Sequence, residues 1–389
     1  MSPKPELNKP NTTQICSRCI LDSNDDSEIT FDSNGVCNYC HEYDAVAQKT
    51  LLKNTQTQQK ELNKIISLIK DKGSKNKYDC LIGVSGGVDS TYLIYMSKKL
   101  GLNPLIVHYD NGWDSELAVI NIENIVKKLD LDLVTYVNDW QEFKDIQLSF
   151  LKASVVDIEL ITDQAILAVL YDTARKYKIK YILYGTNIAT EATLPKSWYH
   201  WKIDLLNITS IQDIFGKIPL KTYPKLGFFK HYFITKFLKI ENIHLLNYLD
   251  YNKKNAKETI IRELNWKDYG GKHYESIFTR FYQAYILPKK FNIDKRKAHL
   301  STLICSKQIT REEALIEIQK PIYDQRKLRD DYEYVIKKLG LTENEFEKYM
   351  SLPVKPHTFY PSYFNRHYKY QKLLSNFIKT IFFISKKTK

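Results

Sequence analysis

Residues 85–90, Ser85-Gly86-Gly87-Val88-Asp89-Ser90, put two glycines, two hydroxyls and a carboxylate into six positions, a mixture suited to holding a polyphosphate. The glycines let backbone N–H groups approach a ligand closely. Ser85 and Ser90 add hydroxyl donors, and Asp89 can hold Mg²⁺ against the phosphates. A second chemical signature is Cys16-x-x-Cys19 followed, after 17 residues, by Cys37-x-x-Cys40. Each pair sets two thiolates on one tight turn, and two such turns face to face supply a tetrahedral sulfur set suited to Zn²⁺. Four thiolates leave no open position, so such a zinc is structural. His41 reads as a surface histidine, and Cys80 and Cys305 as small buried apolar residues.

The elements that must position these groups follow from periodicity. A short apolar strand over 80–84 stops at the glycines, and Tyr92, Leu93, Tyr95, Met96 and Leu100 then recur at helical spacing. A helix start carries unpaired N–H groups and the positive end of the dipole, so a strand, glycine turn and helix make an anion socket. The loop lacks the Gly-Lys-Ser/Thr ending of a Walker loop and is not the G-x-G-x-x-G fingerprint. Downstream the pattern predicts a strand ending in His108, Tyr109 and Asp110, a helix over 118–129 and a strand over 133–137. A long helix over 158–177, capped by Thr162 or Asp163, and a strand closing on Gly185, Thr186 and Asn187 come next. Alternating strands and helices predict an α/β fold, a doubly wound parallel sheet. Ligands sit beyond the carboxyl ends of such strands. His108, Asp110, Gly185, Thr186 and Asn187 therefore join residues 85–90 as candidate nucleotide-binding residues.

Five segments are expected: a zinc-binding knuckle with a small hairpin (1–45), a linker helix (46–75), the α/β domain carrying the phosphate loop (76–250), a helical basic region (251–354) and a basic amphipathic tail (355–389). Glu191, the aromatic run 198–201 and the basic aromatic segment 221–237 lie late in the α/β domain, where aromatics among lysines could stack a base or sugar. In the helical region six cations, Lys272, Lys289, Lys290, Lys295, Arg296 and Lys297, are threaded with Gly, His and Tyr, a composition that fits either a polyphosphate leaving group or a solvated helical face.

The net charge is +13, yet no Asp or Glu follows Glu347 while nine Lys or Arg do, so much of the excess is a property of the tail. Basicity of this kind does not choose between nucleic acid and a small anionic substrate. No apolar run reaches the length of a membrane span, and the N-terminus has no apolar signal region, so a cytoplasmic location is expected. From Gln371 onward Leu373, Leu374, Phe377, Ile378, Ile381 and Phe382 recur at helical spacing among lysines. That tail suits packing on protein, or contact with an anionic membrane surface.

Ser-Gly-Gly-x-Asp-Ser resembles the pyrophosphate loop of the ATP pyrophosphatases (PP-loop superfamily). Taken with the cysteine pairs, Gly-Gly-Lys-His-Tyr-Glu-Ser at 270–276, Leu-Pro-Lys-Lys at 287–290, Asp-Lys-Arg-Lys-Ala-His at 294–299 and Thr-Arg-Glu-Glu-Ala-Leu at 310–315, the chain over roughly 12–330 resembles the N-acetyl sugar amidotransferases of bacterial surface-polysaccharide biosynthesis, including lipopolysaccharide O-antigen. The resemblance implies that ATP adenylates the acetamido oxygen of a nucleotide-linked N-acetyl sugar and that ammonia displaces AMP, leaving an acetamidino group. It implies ATP, Mg²⁺ and Zn²⁺ as cofactors, with Asp89, Lys272, Lys289, Lys290 and Arg296 as candidates for stabilising the leaving group. No glutaminase nucleophile is visible in the chain, so a separate glutaminase subunit and a barrel-shaped companion are the implied partners, and nucleic acid is not. The competing readings are a tRNA-thiolating pyrophosphatase and a non-catalytic zinc-knuckle binding protein.

Overall fold

The computed structural model describes residues 13–50, 55–271 and 274–364. Five strands, β1 (Cys80–Gly83), β2 (Pro104–Asp110), β3 (Leu133–Val137), β4 (Tyr181–Leu183) and β5 (Glu241–Ile243), form one sheet in the order β3-β2-β1-β4-β5. All four pairings are parallel, with Leu81 opposite Leu105 and Ile182, and Ile106 opposite Leu133. The doubly wound α/β expectation is met. Strand order reverses between β1 and β4, so the chain leaves β1 into residues 85–90 at the switch point where such sheets bind ligands.

Side chains alternate across a strand, and the sequence uses both faces. Leu81, Leu105, Val107 and Ile182 enter one buried cluster with α5 (Trp140–Ala153) and α6 (Leu160–Lys176). Cys80, Ile82, Ile106, Tyr181 and Leu183 enter the other with α3 (Val88–Lys99) and α4 (Glu116–Leu129). Ala165 and Ala168 on α6 are fully buried, and their small size lets this helix lie close under β1, β2 and β4. Each buried Leu or Ile contributes about 1.5–3 kcal/mol.

The linker expected as one helix is present in the described residues as α1 (Asn38–Thr50) and α2 (Thr55–Gly73). The expected hairpin in the knuckle is reduced to isolated bridges, Ile15 with Asp22 and Phe31 with Cys37. Periodicity did not reveal α5 or β5. Helix α5 starts from Asp139, whose carboxylate accepts from Glu142 N at 3.0 Å. After β5 the described elements are helical, apart from a bridge between Asp114 and Ser276. The amphipathic tail from Gln371 onward lies outside the described residues. Among the described residues no helix is long and apolar enough to cross a membrane.

Candidate active site

A cavity of about 470 Å³ opens at the carboxyl end of the sheet. Its floor is the turn after β1, where Gly86 has φ +79° and a Cβ would sit 2.8 Å from the backbone oxygen of Ala118. Only glycine fits that backbone and that gap. The turn is pinned from above by Trp266, whose buried indole N–H donates to Gly86 O at 2.8 Å. Gly87 N donates to Ser85 Oγ at 3.3 Å, and the Ser90 hydroxyl donates to Gly87 O at 3.3 Å. At Gly185 a Cβ would stand 3.0 Å from Ser90 N, so the end of β4 needs glycine to lie this close to the turn. Asp89, in the first turn of α3, accepts a short hydrogen bond from the Tyr251 hydroxyl.

His108 sits buried at the end of β2, with Nδ1 3.0 Å from Val84 O and Nε2 2.9 Å from an Asp114 carboxylate oxygen. With acceptors on both nitrogens the ring is held as a double donor. Burial opposes the charge, but Asp114 and the Val84 carbonyl outweigh it and raise the His108 pKa. The arrangement favours the charged form of the ring behind the phosphate turn.

The remaining wall is rich in acids: Asp163, Glu191, Asp268 and Glu275 line the cavity along with Asp89, Asp114 and Glu159. Lys253 and Lys257 are its lysines among the described residues, and Lys257 is paired to Asp268 at 2.5 Å. Such a wall suits a polyphosphate only when a cation accompanies it. No set of three or more of these carboxylates converges on one point; among the described residues that is true only of Cys16, Cys19, Cys37 and Cys40. This pattern fits Mg²⁺, which is commonly bound by one or two carboxylates together with substrate phosphates.

Of the residues expected from sequence, Ser85, Gly87, Val88, Asp89, Ser90, His108, Gly185 and Thr186 line the cavity, with Gly86 forming the turn beneath. Others are placed elsewhere. Asp110 turns back to accept from Gly112 N at 2.7 Å, and Asn187 caps the short helix Ile188–Glu191 through Thr190 N at 3.0 Å. Lys289 pairs with Glu347 at 3.1 Å, and Lys290 donates to the carbonyls of Tyr349, Met350 and Leu352 at the end of the helix Glu343–Ser351. Arg296 pairs with Asp294 at 2.7 Å and donates to the carbonyls of Ile318 and Lys320. These cations satisfy helix ends and acids, the ordinary fate of a basic side chain in a helical region. None lines the cavity, while Lys272 lies outside the described residues.

The basic aromatic segment 221–237 is also away from the cavity. Its start is held by buried Glu142, which accepts from the backbone N–H groups of Lys221, Thr222 and Tyr223 at 2.9–3.0 Å. Thr162 and Asp163 do not cap α6. Glu159 is the N-cap, without a side-chain cap bond, and all three face the cavity. Sequence reading passed over Glu159, Asp114, Trp266, Tyr269 and Thr279 as site residues. The nearest signal for the last three was their position beside the Gly270-Gly271 turn.

The knuckle is a separate centre. Its four buried thiol sulfurs lie within 4.8 Å of one another, with Cys19 to Cys37 at 3.6 Å, Cys37 to Cys40 at 3.7 Å and Cys16 to Cys40 at 3.9 Å. A tetrahedral Zn–S length of about 2.3 Å gives edges of about 3.8 Å, so the set is compatible with zinc. Cys305, expected as an isolated apolar residue, lies 3.7 Å from Cys40 and belongs to the same sulfur cluster. Lys297, one of the six cations read as suiting a polyphosphate or a solvated face, instead anchors this knuckle together with Arg311. Lys297 pairs with Asp22 at 2.6 Å and Asp25 at 3.0 Å, and Arg311 donates to the carbonyls of Cys19 and Cys16. Trp198 adds a bond from its indole to Asp25 O at 2.6 Å.

Residues 275–374 match the family model described as LPS biosynthesis protein WbpG-like, C-terminal domain. The likeness to surface-polysaccharide enzymes drawn from the motifs is borne out by that match. Over 83 residues the chain is 35% identical to GMP synthase [glutamine-hydrolyzing] of Wigglesworthia glossinidia brevipalpis, covering 21% of this chain and 16% of that relative. The chain thus spans about a sixth of the relative's length. Among solved structures it overlaps the NH3-dependent NAD synthetase of Campylobacter jejuni subsp. jejuni (TM-score 0.29, 15% identity, 68% of this chain and 97% of the other). It also overlaps an NMN synthetase of Francisella tularensis (TM-score 0.29, 12% identity, 57% and 90%).

Proposed function

We propose, from the LPS-biosynthesis likeness of residues 275–374 and the cavity built on residues 85–90, that the chain is an ATP-dependent amidotransferase acting on a nucleotide-linked N-acetyl sugar. The observation that carries this reading is a glycine turn at the switch point of a parallel sheet, backed by His108 held between Val84 O and Asp114. ATP lies with its phosphates on the turn and its α-phosphorus toward the cavity. The acetamido oxygen attacks that phosphorus, the bond to pyrophosphate breaks, and the amide carbon becomes an imidate bearing AMP. Ammonia then adds to this carbon and AMP departs with the former amide oxygen.

An amide oxygen leaves poorly until esterified, so the work of the site is positioning and charge stabilisation. The turn's N–H groups, the start of α3, His108 and Lys253 supply positive potential at the pyrophosphate. Asp89 is the residue best placed to hold Mg²⁺, which when bound neutralises the leaving group. A Zn²⁺ in the knuckle would act as a brace alone, since four thiolates fill its coordination. Ammonia comes from a separate glutaminase subunit.

A tRNA-thiolating role is disfavoured because no cysteine lines the cavity: Cys80 is fully buried in β1 and the other five form the sulfur cluster. A purely binding role leaves the acid-lined cavity without a purpose. Pyrophosphate release should depend on a 2-acetamido sugar linked to uridine diphosphate and not on tRNA, and turnover should proceed with ammonium but not with glutamine alone. Release stimulated by tRNA, or glutamine hydrolysis by the pure chain, would contradict the reading.

A further inference from the structure

The cavity extends from the phosphate turn to the start of α6, and there it meets Glu159, a carboxylate that the adenylation step does not use. One of its oxygens is fixed by the Thr279 hydroxyl, which donates to Oε2 at 2.7 Å. No second hydrogen bond to the carboxylate is present among the described residues. Behind it stands a paired group of charges: Lys202 binds Asp157 at 2.7 Å and Asp163 at 2.9 Å. Lys295 and the buried Tyr282 lie close by. Burial first, and the neighbouring Asp163 second, push the Glu159 carboxyl up to about 7, against the Thr279 hydroxyl and Lys295, which favour the anion. A general base works best with a pKa near the operating pH.

We propose that Glu159 is the proton acceptor for the incoming nitrogen nucleophile, receiving a proton as ammonia adds to the adenylated acetamido carbon. This assignment rests on the adenylation reading above. Nitrogen donates its lone pair to the carbon of the protonated imidate, forming the C–N bond as the C=N π pair withdraws onto the sugar-bearing nitrogen, and the incoming nitrogen is left positively charged. The Glu159 carboxylate takes one proton from that nitrogen. The lone pair of the sugar-bearing nitrogen then re-forms the C=N bond as the C–O bond to AMP breaks, its electron pair going to the AMP oxygen and leaving a protonated amidine. Thr279 is a positioning residue that aims the carboxylate.

The test separates the two half-reactions in the full chain, using a panel of uridine-diphosphate-linked 2-acetamido sugars as acceptors. Glu159→Gln is expected to keep sugar-dependent exchange between pyrophosphate and ATP within a few-fold, while ammonium-dependent AMP formation falls about 10²-fold or more. Hydroxylamine, which is largely unprotonated at neutral pH and forms a more acidic adduct, should restore AMP formation in the variant. Because the base form exists above the raised pKa, wild-type turnover measured at a fixed concentration of free ammonia should rise through pH 7, a limb the variant lacks. Undiminished ammonium turnover in Glu159→Gln, or parallel loss of exchange and of both nucleophiles' turnover, overturns the assignment. If the wild-type chain itself shows no sugar-dependent exchange, the adenylation reading fails first, and this assignment with it.

Discussion

Asp89→Asn is expected to lower pyrophosphate release by about 10²–10³-fold, the usual scale for removing one preorganised electrostatic group, while the melting temperature stays close to that of the wild type. The side chain sits in the first turn of α3 at the floor of the cavity, and the Tyr251 hydroxyl is among its partners. An amide keeps an oxygen to accept that bond, so packing survives. What it loses is the charge that would share Mg²⁺ with the phosphates. A rate deficit that excess Mg²⁺ partly relieves is the specific signature expected. Unchanged release would remove Asp89 from the site, and unfolding of the variant would make its role structural.

The second large effect is expected at the sulfur cluster. Cys37→Ser should abolish stoichiometric zinc in the purified chain and lower its melting temperature. In small zinc-dependent peptides metal binding is worth about 10–16 kcal/mol of apparent folding free energy. The effect here should be smaller, because the knuckle is also held by the Lys297 pairs, the Arg311 bonds and Trp198. Cys305 adds a specific expectation. Its sulfur lies 3.7 Å from Cys40, so Cys305→Ser should leave one zinc in place, whereas loss of the metal in that variant would show that the ligand set includes it. Purified wild-type chain without zinc would remove the metal centre altogether.

Legibility divided along sequence distance. The strand, glycine turn and helix over 80–100 and the two cysteine pairs could be read directly, because each is a contiguous piece whose residue types serve one geometry. The acids that shape the rest of the cavity were not visible in this way. Glu159 and Thr279 are 120 positions apart, and Trp266 meets Gly86 across 180. Only the order of the strands brings them together. The basic residues misled for a related reason. Composition shows that Lys289, Lys290, Arg296 and Lys297 are present, but not that a helix end or a carboxylate stands beside each one. Helix α5 escaped notice because polar Glu142, Asp145, Gln147 and Ser149 are buried on it, which blurs its apolar stripe. Those polar groups have structural work, as Glu142 and Asp145 each accept backbone N–H groups from residues 217–223.

The central claim is that the acetamido oxygen becomes bonded to the α-phosphorus of ATP. An acceptor sugar carrying heavy oxygen in its acetamido carbonyl, incubated with the chain, ATP, Mg²⁺ and ammonium, tests this in one mass spectrum. The expected result is heavy oxygen in the phosphoryl group of AMP, matched by an amidino product without it. Label found in inorganic phosphate, or retained in the sugar while AMP accumulates, would contradict it.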